Sequence, residues 1–355
     1  MALSLASFYS KARGKDWRIV LPVMIQMLKS HFMHQKMMTK VLLSLIPIYL
    51  MSIYLFGWRV LVLLAVVTVA GSASEILVMR LVQKDKVKLT EACFVSCALF
   101  TLTLPPATPY WVAVVGIVFG IVFAKATFGG FGQNIFNPAL VGRCFIYIAF
   151  PSFMTMGWLN PYSGFPGGFA RFIGGPDLIS EATPIAQLSS GGTPALEDLI
   201  FGFTGGSLGE TSAVLILLAG IYLAVTKTAS WKIMVSTLGS AGILSAVLYL
   251  TGVTAVQPHY ALLSGGLFFA AIFMATDPVS APRDETSKWI FGVLIGTLTV
   301  VIRHFGTFVE GVMFATLIAN AFAPLLDRNI REGRKALKER RQVEPAASAG
   351  KGGNS

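Results

Sequence analysis

The sequence predicts an all-α integral membrane protein of about ten transmembrane helices, arranged as two inverted five-helix repeats. Three observations support this fold class. The composition is 54% hydrophobic and 13% charged, with a mean hydropathy of +0.69, whereas soluble domains carry about 25% charged residues. Ten apolar segments approach the roughly 20 residues that cross a bilayer. Short motifs recur in the same order in both halves of the chain.

The ten apolar segments set the order of the elements. Glycine and proline interrupt the third, fourth and fifth segments, so their ends are poorly defined by the sequence. The first apolar run follows a basic stretch and lacks a small-residue cleavage pattern, so no cleavable signal peptide is expected. The segments are centred near residues 49, 70, 98, 115, 147, 219, 242, 268, 295 and 317.

The basic residues indicate the topology. The formal net charge is +11, and with the N-terminus in the cytoplasm almost all Lys and Arg residues fall on that side, Lys125 among them. This asymmetry is typical of a bacterial inner-membrane protein with both termini in the cytoplasm. The charge is therefore not interpreted as nucleic-acid binding. Outside lie Arg59, Arg171 and Arg303, and Arg143 falls within the fifth segment.

This topology divides the chain into five regions. The loop between the fifth and sixth segments follows an odd number of crossings, so we place it on the outer side of the membrane. The predicted regions are a cytoplasmic arm (1–40), a first five-helix repeat (41–156), an external loop (157–211), a second five-helix repeat (212–327) and a basic cytoplasmic tail (328–355).

Recurring motifs support the two repeats. Because five spans is an odd number, the second half must cross the membrane upside down relative to the first. Inverted repeats of this kind place ligand or ion sites at broken helices where the halves meet. The recurring residues are Gly71-Ser72-Ala73 with Gly239-Ser240-Ala241; Phe100, Thr103, Pro105 and Pro109 with Phe273, Thr276, Pro278 and Pro282; and Asn134, Phe136 and Pro138 with Asn320, Phe322 and Pro324.

The glycine-rich stretch 128–134 is the predicted break in a helix. Glycine permits unusual backbone dihedrals, and Asn134 and Asn137 supply hydrogen-bond donors and acceptors at a helix end. Two GxxxG pairs elsewhere are interpreted as tight helix packing. These pairs are Gly116 with Gly120 and Gly292 with Gly296.

Few ionisable residues lie in or near the apolar segments, where an unpaired charge is costly. Asp277 lies in a recurring motif, and Glu310 comes just before the last segment. Each fits either an ion or proton path or a structural role such as a helix cap. Glu91 and Asp327 are interpreted as structural. The set also includes Glu75 and Arg143.

No metal site is expected in this chain. Cys93, Cys97 and Cys144 lie in apolar surroundings and are interpreted as buried small side chains. A metal that Cys93 and Cys97 share with a partner subunit is the less favoured alternative. His31 and His34 lack a nearby third ligand.

The external loop contains the octapeptide 177–184, which includes Asp177, Ser180, Ala182, Thr183 and Pro184. Taken alone, Ser180 and Thr183 fit the cap of a short helix that Pro184 begins. Loops of this length are usually either functional or disordered, and composition does not choose between these.

The octapeptide resembles the signature at which a flavin transferase joins the phosphate of flavin mononucleotide (FMN) to a threonine hydroxyl. The surrounding chain is similar to one family, NqrB/RnfD, which comprises membrane subunits of the sodium-pumping NADH:quinone oxidoreductases and of the related Rnf electron-transport complexes. The resemblance implies covalent FMN at Thr183. Glu181 stands where the family commonly has glycine, which leaves the acceptor hydroxyl in place. The resembling stretches are Phe128–Cys144, Gly205–Ala213, Met274–Arg283 and Glu310–Arg328.

The resemblance also implies partners and further site residues. It implies a subunit of a multi-subunit complex that passes electrons across the membrane and moves Na⁺ or H⁺, with a flavin transferase for maturation and quinone as a candidate partner. The residues do not separate the quinone-reducing type from the Rnf type. Expected near FMN are Asp177, Ser180, Ala182, Gly209, Glu210, Thr211 and Ser212, and near a noncovalent riboflavin Asn134, Asn137 and Pro138.

A solute channel or secondary transporter is the alternative from another class. It would share inverted repeats and glycine-broken helices but would carry no redox cofactor. The chain has no GxGxxG after a strand and no Walker lysine motif. Soluble electron donors are therefore expected to bind partner subunits.

Overall fold

The computed structural model describes residues 32–83, 89–162, 164–172, 183–210, 212–306 and 310–349. Within these ranges the chain is mostly helical, and its two short strands, β1 (Phe32–Met33) and β2 (Leu89–Thr90), pair in parallel. Large apolar side chains such as Leu43, Ile46 and Leu50 are exposed along the helices. Lipid is the surrounding that favours such surfaces, so the chain is an all-α membrane protein.

The first half of the chain forms five helices, of which the last three have 12 residues each. α4 continues into a π-helical turn at Val122–Ala126. α5 begins where Asn137 caps it, since the Asn137 side chain accepts hydrogen bonds from the N–H groups of Ala139 (3.0 Å) and Leu140 (3.4 Å). The helices are α1 (Lys36–Phe56), α2 (Arg59–Gln83), α3 (Glu91–Leu102), α4 (Tyr110–Ile121) and α5 (Pro138–Ala149).

The long loop forms short helices, and the second half follows it. α6 (Pro151–Thr155) comes just before the loop, and the loop itself has a 3₁₀ turn (Gly167–Ala170), α7 (Pro184–Ser189) and α8 (Leu196–Phe201). The second half has α9 (Ala213–Val225), α10 (Trp231–Leu250), α11 (Pro258–Leu263), α12 (Leu267–Phe269), α13 (Glu285–Phe305) and α14 (Gly311–Ala349). α12 continues into a second π-helical turn at Ala270–Met274.

Every predicted apolar segment has its centre in a helix, but the helices differ in length. Among the described residues, four helices are long and apolar enough to cross a membrane: Lys36–Phe56, Arg59–Leu81, Trp231–Leu250 and Glu285–Phe305. Others are shorter. α3 has 12 residues, which at 1.5 Å per residue reach about 18 Å of a hydrocarbon core of about 30 Å. α3 alone is therefore too short to cross that core.

The two halves pack their helices in the same order. In each half the helix of the second apolar segment packs on that of the fourth, and the fourth on the fifth, as α2, α4 and α5 do and as α10, α13 and α14 do. The third segments of the two halves run in opposite directions. A Cβ added at Gly209 would lie 2.7 Å from Leu102 at the end of α3 and 3.0 Å from Phe269 at the start of its counterpart. This antiparallel relation is the one expected of inverted repeats.

The predicted break and the predicted packing glycines are both present. Residues 127–137 are non-helical, and Gly129, Gly130 and Gly132 have φ angles of 104°, 97° and 88°, which only glycine adopts without strain. A Cβ at Gly120 would lie 2.3 Å from the carbonyl oxygen of Pro138, and one at Gly296 would lie 2.3 Å from that of Thr237. The GxxxG prediction of close helix contact is confirmed.

Candidate functional site

A buried arginine joins the two halves beside the long loop. Arg143 of α5 contacts Glu210 through Nη1 at 3.1 Å and Ser207 Oγ through Nη2 at 3.3 Å. It also pairs with Glu310, which directly precedes α14. All three charged side chains are largely shielded from solvent. A guanidinium fork suits this arrangement because it presents several donors at fixed angles.

Thr183 lies in the wall of a cavity next to this arginine. The cavity, here called the Thr183 cavity, measures about 230 Å³ and includes the carboxylates of Glu210 and Glu310. Other walls come from aromatic and glycine residues. These are Tyr147, Trp158, Gly205, Gly206 and Gly265.

The Thr183 hydroxyl also caps α7. Its Oγ accepts a hydrogen bond from the Ala186 N–H at 3.3 Å, so the capping role predicted from Pro184 is confirmed. The attachment role stays a prediction. The predicted neighbours Asp177, Ser180, Ala182 and Thr211, and also Glu181, lie outside the described residues.

Two other residues predicted near FMN hold the loop in place. Gly209 donates its N–H to the Leu102 carbonyl oxygen at 2.7 Å, and Leu208 donates to that of Leu104 at 3.1 Å. Ser212 caps α9, its Oγ accepting from the Leu215 N–H at 3.5 Å. The structure thus brings Thr183, Glu210 and Glu310 into one cavity wall, whereas Gly209 and Ser212 fasten the loop to the helices.

A second, smaller cavity lies at the other end of α3. This Asn137 cavity measures about 50 Å³ and is lined by Asn134, Asn137 and Pro138 together with Asp277. The Asn137 side chain donates to the Met274 carbonyl oxygen at 3.4 Å, and Asn134 donates to that of Phe136 at 3.2 Å. Asn137 therefore ties the broken segment to the second half, while Asn134 stabilises the segment itself.

Lys125, in the wall of the Asn137 cavity, is a buried residue. Its side chain is 2% exposed and pairs with Glu75 at 2.9 Å, whereas its assignment to the cytoplasmic side stays a prediction. Lys125 also donates to Thr90 Oγ at 2.8 Å, and Thr90 donates to Glu75 at 2.9 Å. The sequence does place a glutamate and a lysine next to apolar segments. Because Glu75 and Lys125 lie far apart in the sequence, their contact could not be inferred from it.

The remaining acidic residues have identifiable local contacts. Asp277 accepts from the Val279 N–H at 3.3 Å and from Ser280 Oγ at 3.0 Å, which is a turn-capping role, and its ion role stays a prediction. For Glu91 and Asp327, the interpretation as structural residues is confirmed. Glu91 accepts from the Gln35 N–H at 2.8 Å, and Asp327 accepts from the N–H groups of Arg283 and Asp284 at 2.8 and 3.0 Å.

Comparison with known proteins identifies the family. A profile described as the NQR2, RnfD, RnfE family matches residues 26–335. The chain belongs to this family. The resemblance inferred from the motifs is thereby confirmed.

Named relatives fall into both types that the resemblance suggested. The D subunit of the ion-translocating oxidoreductase complex of Stutzerimonas stutzeri is 37% identical over 82% of this chain and 89% of its own length. The D subunit of the same complex from Actinobacillus succinogenes is 33% identical over 83% of this chain and 92% of its own length. The B subunit of the Na⁺-translocating NADH-quinone reductase of Azotobacter vinelandii is 39% identical over 68% of this chain, which spans 60% of that longer protein.

The Thr183 cavity has features that fit the FMN implied by the family. Arg303 lies beside Gly265 of the cavity wall, and its Nε and Nη2 are buried without a partner among the described residues. Unpaired buried donors are costly, and a flavin offers carbonyl and ring-nitrogen acceptors. The volume is below the roughly 300–1,000 Å³ of typical ligand sites, so the cavity suits part of the cofactor.

The placement of riboflavin near Asn134, Asn137 and Pro138 stays a prediction. The Asn137 cavity measures about 50 Å³, which holds a few water molecules or an ion. As for metals, the described ranges contain no group of three or more His, Cys, Asp or Glu side chains. Cys93 and Cys97 are buried and free, and His34 pairs with Glu91, while His31 lies outside the described residues.

Proposed function

We propose that the chain is a membrane subunit of an ion-translocating oxidoreductase complex and that it carries FMN through a phosphoester bond to Thr183. The observation that supports the attachment is the place of Thr183 in the wall of a cavity that includes Glu210 and Glu310. An attachment threonine needs a hydroxyl that a transferase can reach, and a cofactor needs protein groups that tune it. The partly exposed Thr183, next to a charged cavity, meets both needs.

FMN held there would supply one- and two-electron transfer. The chain's own residues would provide its surroundings. Tyr147 and Trp158 offer aromatic surface for a planar ring, and Arg143 holds the two carboxylates in fixed positions. Arg303 lies beside Gly265 of the cavity wall, and its buried Nε and Nη2 would be candidate donors to the flavin. A noncovalent riboflavin near Asn134, Asn137 and Pro138 is the second flavin of the proposal.

Ion movement and membrane side complete the proposal. Asp277 in the Asn137 cavity and Glu310 in the Thr183 cavity are the candidate residues for a Na⁺ or H⁺ path. The chain would lie in the bacterial inner membrane with both termini in the cytoplasm and the Thr183 cavity on the outer side. Labelling intact cells with a membrane-impermeant maleimide tests this: Thr193→Cys should react and Lys335→Cys should not.

The attachment is tested by in-gel flavin fluorescence. The full chain is expressed with a flavin transferase, denatured and separated by electrophoresis under ultraviolet light. We expect a fluorescent wild-type band and no fluorescence for Thr183→Ala. The matched control is Thr193→Ala, because Thr193 also precedes a proline in the same loop and should leave the fluorescence unchanged.

The outcomes separate the competing proposals. A wild-type band without fluorescence, from cells in which the transferase modifies a known acceptor, would contradict FMN attachment and favour the solute channel or secondary transporter. Fluorescence that survives Thr183→Ala but is lost in another loop variant would place the attachment elsewhere. The alternative Thr183→Ser keeps a hydroxyl, and its partial modification would support an acceptor role over a purely structural one.

The electron acceptor is proposed at the level of the family. Both the quinone-reducing type and the Rnf type, which connects ferredoxin and NAD, remain candidates for this chain. Neighbouring genes discriminate between them: a ferredoxin-like iron–sulfur subunit in the same operon supports the Rnf type. A flavin-plus-ferredoxin reductase subunit in its place supports the quinone type.

A further inference from the structure

A basic cavity lies beside the N-terminus of α10. It measures about 400 Å³, and its charged lining consists of four basic residues and one acidic residue. It adjoins the Asn137 cavity through Thr276 and Pro278 but shares none of that cavity's charged residues. We infer that this basic cavity binds the phosphate headgroup of an anionic phospholipid. Its charged residues are Lys227, Lys232, Arg283, Lys288 and Glu285.

The ion pairs in this cavity leave two basic side chains without a partner among the residues that the structure describes. Glu285 contacts Lys232 Nζ at 2.8 Å and Lys288 Nζ at 2.5 Å. Neither Lys227 nor Arg283 has a side-chain hydrogen bond or ion pair with any described residue. One carboxylate therefore faces four cations, and the cavity carries excess positive charge that an anion would neutralise.

The backbone adds donors to the same cavity. Ser230 is the N-cap residue of α10, yet its side chain makes no capping hydrogen bond. The first N–H groups of a helix have no partner within the helix and carry partial positive charge. Because α10 has 20 residues and begins in the cavity wall, these donors lie beside the space that the basic side chains surround.

Lys227 holds an unfavourable backbone conformation at this place. Its φ of 54° is the one positive φ of a non-glycine residue within the described ranges. Strained residues of this kind persist where the surrounding structure or a function requires them. Glycine would fit this turn without strain, so a lysine here is consistent with a use for its charge.

The rim of the cavity favours a lipid over free phosphate. Trp231 and Trp289 pack edge to face with their ring centroids 5.8 Å apart, and Trp231 is 52% exposed. Exposed apolar side chains at Val235 and Ile290 continue from this pair along α10 and α13. Tryptophan beside basic residues is typical of the membrane interface, and acyl chains can lie along the apolar surface below it.

The side of the membrane agrees with this ligand. The cavity lies among the basic residues that the positive-inside rule assigns to the cytoplasm. Anionic lipids are enriched in cytoplasmic leaflets, and basic pockets between helices on that side bind their headgroups. A monoanionic phosphodiester such as phosphatidylglycerol is therefore the chemical class that the cavity fits.

Tryptophan quenching by brominated lipid tests the inference. The purified full chain is placed in mixed micelles with brominated phosphatidylglycerol or brominated phosphatidylcholine, and the ratio of their association constants is measured. Each basic side chain near the surface is worth roughly a fivefold change in binding. We expect the wild type to prefer phosphatidylglycerol at least about fivefold and Lys227→Gln/Arg283→Gln to lose the preference. Trp231→Phe should reduce the extent of quenching.

A control of equal charge isolates the cavity. Arg80→Gln/Lys335→Gln removes two exposed basic residues elsewhere on the same predicted side and should keep the preference. The inference would be overturned if Lys227→Gln/Arg283→Gln preferred phosphatidylglycerol as strongly as the wild type does. It would also be overturned if both double variants lost that preference. Competition by millimolar inorganic phosphate, independent of acyl chains, would overturn the lipid as the source of the phosphate. If the double variant does not purify, Arg283→Gln alone and the wild type in high salt should each show a reduced preference.

Discussion

The Thr183 cavity and the Asn137 cavity each lie beside a buried cation but differ in construction. Arg143 binds two carboxylates that come from the loop and from the start of α14, and the cavity beside it measures about 230 Å³. Lys125 binds one carboxylate within the first half, and the cavity beside it measures about 50 Å³. The first joins parts of the chain around a space that holds part of a ligand. The second leaves room for a few water molecules or an ion.

The largest difference should come from removing the arginine. Arg143→Met would leave Glu210 and Glu310 buried without a cation, which should cost about 5 kcal/mol of unfolding free energy. Chemical unfolding in detergent micelles measures this. The control is Arg328→Met, since Arg328 pairs with Glu332 in an exposed position, and no measurable change is expected. A small effect at Arg143 would mean that the carboxylates accept protons instead.

Removing the lysine should have a somewhat smaller effect. Lys125→Met leaves one buried carboxylate and should cost about 3 kcal/mol in the same assay. Because replacing both members of a buried pair by apolar residues is often close to neutral, Lys125→Met/Glu75→Leu should recover most of the loss. If the double variant does not recover the lost stability, Glu75 has a second structural role. It would then hold either Thr90, which is hydrogen-bonded to both residues, or an ion in the cavity.

A third substitution tests the contact that Gly209, in the loop, makes with α3 and α12. Gly209→Ala puts a methyl group 2.7 Å from Leu102 and 3.0 Å from Phe269, and overpacking of this kind should cost about 1–3 kcal/mol. Gly206→Ala is the matched control, because no heavy atom lies within 4 Å of its added Cβ. Equal melting temperatures for the two variants would argue against the tight contact at Gly209.

The smallest effect should come from the cap of α5. Asn137→Ala removes the acceptor for two N–H groups and the donor to Met274, and loss of such a cap costs about 1 kcal/mol. Chemical unfolding in the same micelles measures it. Asn137→Ser keeps a capping oxygen and should retain most of the stability. If serine and alanine behave alike, the contact with Met274, and not the cap, is the stabilising one.

Local features were predictable from the sequence, and long-range pairs were not. The break at 128–134 follows from a dense run of glycines, and the cap at Thr183 follows from a hydroxyl residue before Pro184, since both depend on neighbours in the chain. Arg143 lies 67 residues from Glu210 and 167 from Glu310. No local pattern carries that information.

The burial of Lys125 shows the same limit. A lysine at the end of an apolar segment satisfies the positive-inside rule whether it faces water or a carboxylate, because that rule counts charges by segment. The Glu75 carboxylate comes within 2.9 Å of Lys125 Nζ only because α2 packs against α4 and against the π-helical turn that follows α4. Composition likewise could not separate full spans from the short α3 and α12, whose lengths are fixed by the turns around them.

The cap at Thr183 has a consequence for the proposed modification. In the cap the Thr183 oxygen serves as an acceptor for the Ala186 N–H, so the hydroxyl proton is not required there. A phosphoester would replace that proton and leave lone pairs on the same oxygen. Attachment of FMN would therefore not require α7 to unwind: the chain could receive a substituent at this atom and still begin its helix at Pro184.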